Sequence, residues 1–488
     1  MTDFQPTAPV PLSSVGEWHS EVDVLIVGYG GAGACAAIEA AKAGARTLIL
    51  ERASGGGGTT AMAAGHIYLG GGTRVQRACG YEDSAANLLR YLEASADDVD
   101  REKFMLYAEQ SVAHFDWLVS IGVPFEDSIH EGRTSMQQSA ECLLWSGNEK
   151  AWPYRDIATP APRGHKVAAE GEAGPLLFQK LDAEARRMGA EVQGDTRVLT
   201  LILDSEGRAA GVIARQDGKD RAFRAHRGVV LCTGGFAMNE AMFARHVPRL
   251  AGQVMAIGNP YDDGVGQRMG MAARGAALHM ADYHITLPFY PPGDLTYGIL
   301  VNAQGQRFIA EDAYHGRTGE VASLQPQGTV YLIADEQSFG RPEVEGFEIA
   351  AVEGTIAELE RALGLPEPML QHTVAVYNEG AAKGEDRLFH KQPPWLRPLA
   401  EGPFAALECS FGKAPYMAFT LGGLWTRTTG EVLSEDGEVI PGLYAAGRAA
   451  CGIPRSATGY ASGTCIGDAT LFGRLAGAAA AANSAGEA

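Results

Sequence analysis

The sequence predicts an α/β protein: a Rossmann-like parallel sheet assembled from both ends of the chain, with an α+β region inserted between them. Three observations carry that expectation. A strand–turn–helix–strand pattern runs from Val22 to Glu51 around the turn GYGGAG. Strand patterning resumes near the C-terminus in GEVLSEDGEVIPGLYAAG. Between residues 285 and 419 the character changes, with many prolines and aromatics and mixed strand and helix signals. The expected division is an N-terminal arm over 1–20, a discontinuous dinucleotide-binding domain over 21–284 and 420–488, and an inserted domain over 285–419.

Taken in order, the arm contains Pro6, Pro9 and Pro11 and lacks a basic start followed by an apolar run. It reads as loosely packed chain rather than a signal peptide. VDVLIV is a buried strand, the Ala-rich ACAAIEAAKAG a helix stopping at Gly44, and ARTLILE a second strand parallel to the first. Residues 54–72 are glycine-rich loop. Residues 84–121 read as helical, with apolar positions at Leu88, Leu92, Phe104, Tyr107, Phe115 and Leu118. Residues 125–170 show no sustained period and read as loops, and 174–189 resume as an amphipathic helix. VLTLILD, AAGVIAR and AFRAHRGVVLCTGG are successive strands joined by the polar turns SEGR and QDGKD. DATLFGRLAGAAAAA closes the chain as a helix.

Bulk properties exclude several functions. A net charge of −19 over 488 residues repels phosphate backbones and anionic membranes, which argues against nucleic-acid binding. No run of about 18 apolar residues occurs, so no membrane span is expected. Seven scattered cysteines with no C-x-x-C pair read as reduced thiols of a cytoplasmic protein. No G-x-S-x-G elbow supports a hydrolase. His279, Asp282 and His284 lie close in sequence but match no standard zinc spacing, so no metal is expected.

Gly28, Gly30 and Gly33 spell G-x-G-x-x-G between the first strand and its helix. The first permits the turn, the second lets a pyrophosphate approach the backbone, and the third lets helix and strand pack closely. The helix N-terminus offers free N–H groups to phosphates. Glu51 ends the second strand, where a carboxylate accepts from a ribose diol and repels a 2′-phosphate. The run SGGGGTTAMAAG stands just beyond it, where flavin enzymes of this fold line the pyrophosphate and isoalloxazine, and no second G-x-G-x-x-G exists for a nicotinamide cofactor.

These segments together resemble the fumarate reductase and succinate dehydrogenase flavoprotein superfamily, through most of the chain. GGTTAMAAG is similar to that family's second flavin segment and CTGGF to its strand-end segment. IGNPYDDGVGQRMGMAARGAAL is similar to its middle block. IPGLYAAGRA and YASGTCIGDATLFGR are similar to its C-terminal flavin-ring segment. The resemblance implies one FAD held by a split domain, with the inserted domain supplying catalytic and substrate contacts. It implies cofactor contacts at Gly28, Gly30, Gly31 and Gly33, at Glu51 and Arg52, and at Gly58, Thr59, Thr60 and Gly65. Further contacts are implied at Val198, Thr233, Gly234 and Asp263, and at Gly447, Arg448, Ser462, Gly463 and Ile466. Members with covalent flavin carry a His near Thr59, so the FAD here is expected to be non-covalent.

Within the superfamily, AMAAGHIYLGGGT and G-Y-x-SGT-x-GD resemble the 3-ketosteroid dehydrogenases, the Δ4-(5α) branch above all. That resemblance implies a catalytic set of Tyr314, Tyr460 and Ser462. Phe419 and Thr420 in FTLGGL replace a fumarate reductase His, and His315 in RFIAEDAYH replaces its Arg, so two contacts for a dicarboxylate are missing. The Δ1 branch has Tyr-Pro-Gly where this chain has Tyr460-Ala461-Ser462. His315 and Arg317 are expected at the surface or in structural roles.

The implied chemistry is desaturation beside a carbonyl, with a 3-ketosteroid as small-molecule substrate and an unidentified electron acceptor as partner. Tyr460 would polarise the carbon-3 oxygen, and Ser462 would take the carbon-4 proton with Tyr314 as relay. In a strand-like segment Tyr460 and Ser462, two apart, share one face. The alternatives are a Δ1-dehydrogenase, another enone oxidoreductase of the superfamily, or a flavin-binding protein without turnover.

Overall fold

The computed structural model describes residues 8–484 apart from 97, 99, 454 and 455. Pro6 of the expected arm lies outside the described residues. From residue 8 on, the arm is less loose than its prolines suggest, since Val10–Pro11 pairs parallel with the strand Thr196–Leu203.

Among the described residues the largest sheet has nine strands. Ser20–Val27 and Thr47–Leu50 form the expected parallel pair around the helix Gly31–Lys42. Their side chains are buried almost throughout, as a sheet covered on both faces requires. Glu191–Gln193 extends the sheet beyond Thr47–Leu50, while Lys219–Leu231 and then Val439–Ala445 extend it on the other side. One row of partners crosses all of these at their C-terminal ends: Ala445, Leu231, Val27, Leu50 and Gln193. The residues just past four of them, Ala446, Cys232, Gly28 and Glu51, enter the site. Thr196–Leu203, Ala209–Gln216 and Lys219–Leu231 form an antiparallel meander sharing its last strand with the parallel sheet. Asp217 and Gly218, both at positive φ, make the tight second turn.

The two ends of the chain are joined by packing of the helices Gly31–Lys42 and Thr464–Ala482. A Cβ on Gly473 would meet Ala32 O at 2.5 Å and one on Gly477 would meet Ala36 O at 2.0 Å, so only glycine permits this approach. Arg474 closes the flank by donating to Glu39 at 2.9 Å.

The inserted region has its own four-stranded antiparallel sheet, ordered Ile299–Asn302, Val330–Ala334, Phe404–Glu408, Ile349–Glu353. The helices Ile356–Ala362 and Met369–Ala381 cover it through Leu359, Leu370 and Val374. The chain enters along Tyr283–Thr286 and leaves along Met417–Thr420, and these two strands pair antiparallel, Tyr283 against Thr420 and Thr286 against Met417. The sequence boundary at 285 and 419 therefore falls inside one pair of connecting strands.

Two stretches differ from the sequence reading. The helical span 84–121 is two helices, Ala85–Ala94 and Arg101–Ser120, restarted where the Asp100 side chain accepts from Lys103 N. Residues 125–170 hold three short strands, Ile129–His130, Leu143–Leu144 and Gly164–Lys166, which join His66–Tyr68 in a small sheet. Strands of two or three residues are too short to show a period. No helix among the described residues is long and apolar enough to cross a membrane.

Candidate active site

A cavity of about 520 Å³ opens at the C-terminal row of the parallel strands and continues to the strands connecting the inserted region. Gly28 turns the chain at φ +98°, and a Cβ there would meet Cys232 O at 2.5 Å. Gly33 packs against Gly28, with its absent Cβ only 2.0 Å from Gly28 O, and stays out of the cavity wall. Gly30 and Gly31 line the wall at the helix start, where Gly31 N donates to Thr60 Oγ1 at 3.1 Å.

Glu51 lies one residue past its strand. Its carboxylate accepts from Tyr29 N at 2.7 Å and Ala53 N at 2.8 Å, which fixes it at the wall with lone pairs to spare. Arg52 donates to Asp263 at 2.7 Å and lies over the Tyr261 ring. Asp263 is thus committed to Arg52. Its neighbour Asp262, which the sequence reading passed over in the DDG run, is the central carboxylate. Asp262 Oδ2 accepts from Arg448 Nη2 at 2.5 Å and from Thr59 Oγ1 at 2.8 Å. Thr59 Oγ1 accepts from Arg448 Nη2 at 2.9 Å and from Asn259 N at 3.0 Å. Three expected cofactor segments therefore meet in one buried cluster.

Gly58, Val198, Thr233, Gly234, Gly447, Gly463 and Ile466 also line the wall. Gly65 does not. It is glycine because its φ is +80° and a Cβ would meet Ala173 C and Cβ at 2.7 Å, a packing role.

Tyr314, Tyr460 and Ser462 all reach the cavity, and Tyr314 Oη and Ser462 Oγ lie 2.8 Å apart. Tyr460 and Ser462 do so from turns leading into the helix Thr464–Ala482, not from a strand-like segment. The glycines before and after them favour turning chain over an extended run. Tyr314 caps the helix His315–Ser323. Arg133 fixes the approach to it by donating to the carbonyls of Glu311, Asp312 and Ala313. In the preceding RFIAE run, Glu311 is buried against Arg307 and Lys391 at 2.8 and 3.2 Å, an internal anchor rather than a substrate contact.

Burial pushes the Tyr314 phenol far above its ordinary value, with the Ser462 hydroxyl pulling the other way. Burial likewise raises Tyr460, with the Cys465 thiol and Tyr314 adding to it. Both phenols are protonated at neutral pH.

Of the two roles expected for His315, the surface one does not hold: it is buried, and it lines the cavity beside Tyr314 because it opens the helix that Tyr314 caps. Its Nδ1 is 2.5 Å from Thr286 Oγ1. Arg317 points away, donating to Trp152 O. His284 lines the same wall, its ring 4.3 Å from that of Tyr460 and 4.9 Å from that of Phe419. Burial holds His284 down at about 3 and His66, also in the wall, at about 4. Burial, and then His284, lower His315 as well. These are neutral imidazoles. Sequence reasoning weighed His284 only as a metal ligand beside His279 and Asp282, and it missed His66 because a lone histidine carries no spacing signal. Thr420 is turned inward, accepting from Phe236 N. Around His279, the ring contacts Asp282 and Asp98, and among the described residues no group of three metal-ligating side chains forms.

The donor set fits FAD. The glycine turn and helix start suit a diphosphate, and Glu51 suits a ribose diol. Arg448 Nη1 and Thr233 Oγ1 are buried in this wall without a protein partner among the described residues. Buried donors of that kind are satisfied by a polar ligand.

The family model described as "FAD binding domain" matches residues 23–462. The crystal structure of 3-ketosteroid-Δ4-(5α)-dehydrogenase from Rhodococcus jostii RHA1, in complex with 4-androstene-3,17-dione, is 42% identical. It superposes with a TM-score of 0.92, covering 97% of this chain and 100% of that one. A 3-oxo-5-alpha-steroid 4-dehydrogenase of Comamonas testosteroni is 27% identical, over 88% of this chain and 93% of the relative. A cytochrome-type fumarate reductase of Shewanella frigidimarina is 28% identical, over 95% of this chain and 77% of the relative. The chain belongs to the FAD binding domain family within the fumarate reductase and succinate dehydrogenase flavoprotein superfamily, and it is an FAD-dependent oxidoreductase.

Proposed function

We propose that this protein desaturates 3-ketosteroids, introducing the 4-ene double bond. The observation that carries the reading is the 2.8 Å contact between Tyr314 Oη and Ser462 Oγ in a wall shared with Tyr460. Around these hydroxyls the wall presents Phe419, Pro288, Val344 and neutral imidazoles. Such a surface favours a rigid apolar ligand with one carbonyl over a dianion. The guanidinium it reaches, Arg448, is already bonded to Asp262. The steroid dehydrogenase relatives support the substrate class, and Ser462, in place of the Δ1 branch's glycine, supports the 4-ene position.

The Tyr460 phenol, held protonated by burial, donates to the carbon-3 oxygen and stabilises charge as it develops there. Ser462 Oγ removes the proton from carbon 4 and passes its own proton across the 2.8 Å contact to Tyr314 Oη, in the form of the enzyme whose Tyr314 has first released its phenolic proton to the medium. FAD, when bound, would supply the acceptor for the carbon-5 hydride. Gly30, Gly31, Glu51, Arg448 and the start of the helix Thr464–Ala482 would hold it. Thr59 stands where members with covalent flavin carry a His, and its hydroxyl is engaged with Asp262, Arg448 and Asn259, which supports non-covalent FAD. The cytoplasm is the compartment we propose, supported by the absence of any disulfide among the described residues.

The test is anaerobic mixing with a 5α-saturated 3-ketosteroid. The flavin absorbance should bleach and the product should carry the 4-ene. A 1-ene product would move the protein to the Δ1 reaction, and an unbleached flavin would make it a binding protein.

A further inference from the structure

The two hydroxyls of the Tyr314–Ser462 pair come from different parts of the molecule. Tyr314 belongs to the inserted region and Ser462 to the C-terminal cofactor segment. A hydrogen-bonded relay tolerates little misplacement, since a shift of about 1 Å costs roughly 100-fold in rate. Something must therefore hold both backbones in register.

A short buried segment, residues 146–149, contacts both. Ser146 O accepts from Ser462 N at 2.8 Å, and Ser146 Oγ donates to Ser462 O at 3.1 Å. Asn148 Oδ1 accepts from Tyr314 N at 3.0 Å, while Asn148 Nδ2 donates to Thr458 O at 3.0 Å, two residues before Tyr460. Asn148 N donates to Tyr91 Oη at 2.9 Å, anchoring the strap from behind. Glu149 stiffens it, accepting from Gly147 N at 2.9 Å and from Tyr68 Oη at 3.0 Å. Gly147 leaves no room to drift, because a Cβ there would meet Ala461 Cβ and Tyr91 Oη at 2.7 Å. Ser146, Asn148 and Glu149 are all less than 5% exposed, and none lines the cavity.

We propose that Asn148, with Ser146, is a positioning device that sets the Tyr314–Ser462 distance and the placement of the Tyr460 loop. It acts through the backbones of the catalytic residues and touches no substrate. The inference rests on the reading that Tyr314 and Ser462 carry the carbon-4 proton step. The carboxamide is required because both its ends are used in fixed sense: the oxygen takes Tyr314 N–H and the nitrogen gives to Thr458 O. Aspartate keeps the first contact and loses the second, whereas alanine loses both.

The test uses the FAD-loaded enzyme and a 5α-saturated 3-ketosteroid, protonated or deuterated at carbon 4. Asn148→Ala should lower kcat about 10- to 100-fold with KM little changed. The carbon-4 isotope effect on kcat should rise, because proton removal becomes the slow step, and Asn148→Asp should fall between alanine and wild type. General loosening would not single out the carbon-4 bond. Adding Asn148→Ala to Ser462→Ala should cost much less than it does in wild type, since no relay is left to position and only the part acting through the Tyr460 loop remains. If Asn148→Ala loses FAD or does not fold, Ser146→Ala, which removes one bond to Ser462, should show the same rise in isotope effect with a smaller fall in kcat. The proposal is overturned by an unchanged kcat and isotope effect in the strap variants while Ser462→Ala is crippled. It is equally overturned by a strap loss that recurs in full in the Ser462→Ala background. Near-wild-type turnover in Ser462→Ala itself would instead remove the relay reading beneath it.

Discussion

The cavity wall has two parts of opposite character. Around the glycine turn it carries Glu51, Arg52, Asp262, Asp263 and Arg448, and the arginines are paired to the aspartates at 2.5 to 2.7 Å. Around Tyr314 it carries phenols, one serine, Phe419 and three histidines held neutral by burial. The first part is charged, pre-paired and rich in backbone donors, which suits a diphosphate-bearing cofactor. The second has spent its polarity on a few hydroxyls, which suits a neutral ligand whose single carbonyl must be found and polarised. A dicarboxylate would need charge in both parts, and the guanidinium that the second part reaches, Arg448 over the Phe419 ring, is bonded to Asp262.

The sharpest way to break that contrast is to remove the few hydroxyls. Ser462→Ala should cost about 100- to 10,000-fold in turnover of a 5α-saturated 3-ketosteroid. Tyr314→Phe should cost similarly, and the double variant should be hardly worse than either, because the pair acts as one unit. Multiplicative losses would mean two independent roles and no relay. Tyr460→Phe should lose an oxyanion donor, about 100- to 1000-fold. Each variant should keep its FAD, since each removes little volume from the wall.

The same contrast has a pH signature. The relay is active when the Tyr314–Ser462 pair has given up a proton, and burial raises the pH at which it does so. The turnover of wild type should therefore climb as the medium is made alkaline, and this climb should disappear in Tyr314→Phe. A profile flat above neutrality would argue for another base. Fumarate, offered with a reduced dye, should not be turned over at a useful rate. Robust fumarate reduction would show that the second part of the wall binds a dianion after all.

The legibility of the two parts in the sequence differs for the same physical reason. The cofactor part is built from backbone geometry, which leaves marks at fixed spacing. Gly28 is required by its positive φ, Gly33 by its approach to Gly28, and Glu51 by the end of a four-residue strand. Even there, pattern does not separate Asp262 from Asp263, adjacent identical residues that both line the cavity, and Gly65 lies behind the wall in a packing position. The catalytic part is made by contacts between residues more than 140 positions apart, such as Tyr314 with Ser462. Spacing says nothing about such contacts, and only the resemblance to a known family singled those residues out. The resemblance marked His315 only as a missing arginine and spacing marked His284 only as a rejected metal ligand, while the strap at 146–149 had no signal of either kind. The short strands at 129–130 and 143–144 were invisible too, since two residues cannot alternate.

A smaller effect probes the charged part. Glu51→Gln keeps the side-chain shape but removes the charge that a ribose diol would meet. A charge-assisted hydrogen bond contributes about 1.5 to 3 kcal/mol, so FAD affinity should fall about 10- to 100-fold. Flavin fluorescence on titrating the apoprotein reads this directly. Steroid affinity, measured once FAD is saturating, should be unchanged, because Glu51 belongs to the other part of the wall. A variant that lost both affinities together would show that the two parts are not separable. The FAD of wild type should come off on acid denaturation, and flavin left on the precipitate would contradict non-covalent binding.

The gentlest perturbation is mild acid, and it should separate stability from binding. In the unfolded chain a histidine titrates near its ordinary value of about 6.5. In the fold, burial lowers His284 to about 3 and His66 to about 4, and it lowers His114 and His165, outside the cavity wall, to about 3 and 4. Between those values the unfolded chain binds protons that the folded chain does not, so stability is lost as pH falls. The slope is at most about 1.4 kcal/mol per pH unit for each such histidine, and the loss stops below the folded value. Thermal melting should therefore drop on moving from about pH 7 to about pH 5, with no matching drop from about pH 8 to about pH 7. Over the same interval His284, His66 and His315 stay neutral while the enzyme is folded, so the affinity for a neutral steroid should not move. Imidazole carbon chemical shifts can check the premise. A cavity histidine titrating near pH 6, together with a falling steroid affinity, would mean that the wall around Tyr314 acquires charge in use and that its neutrality is not what selects the ligand.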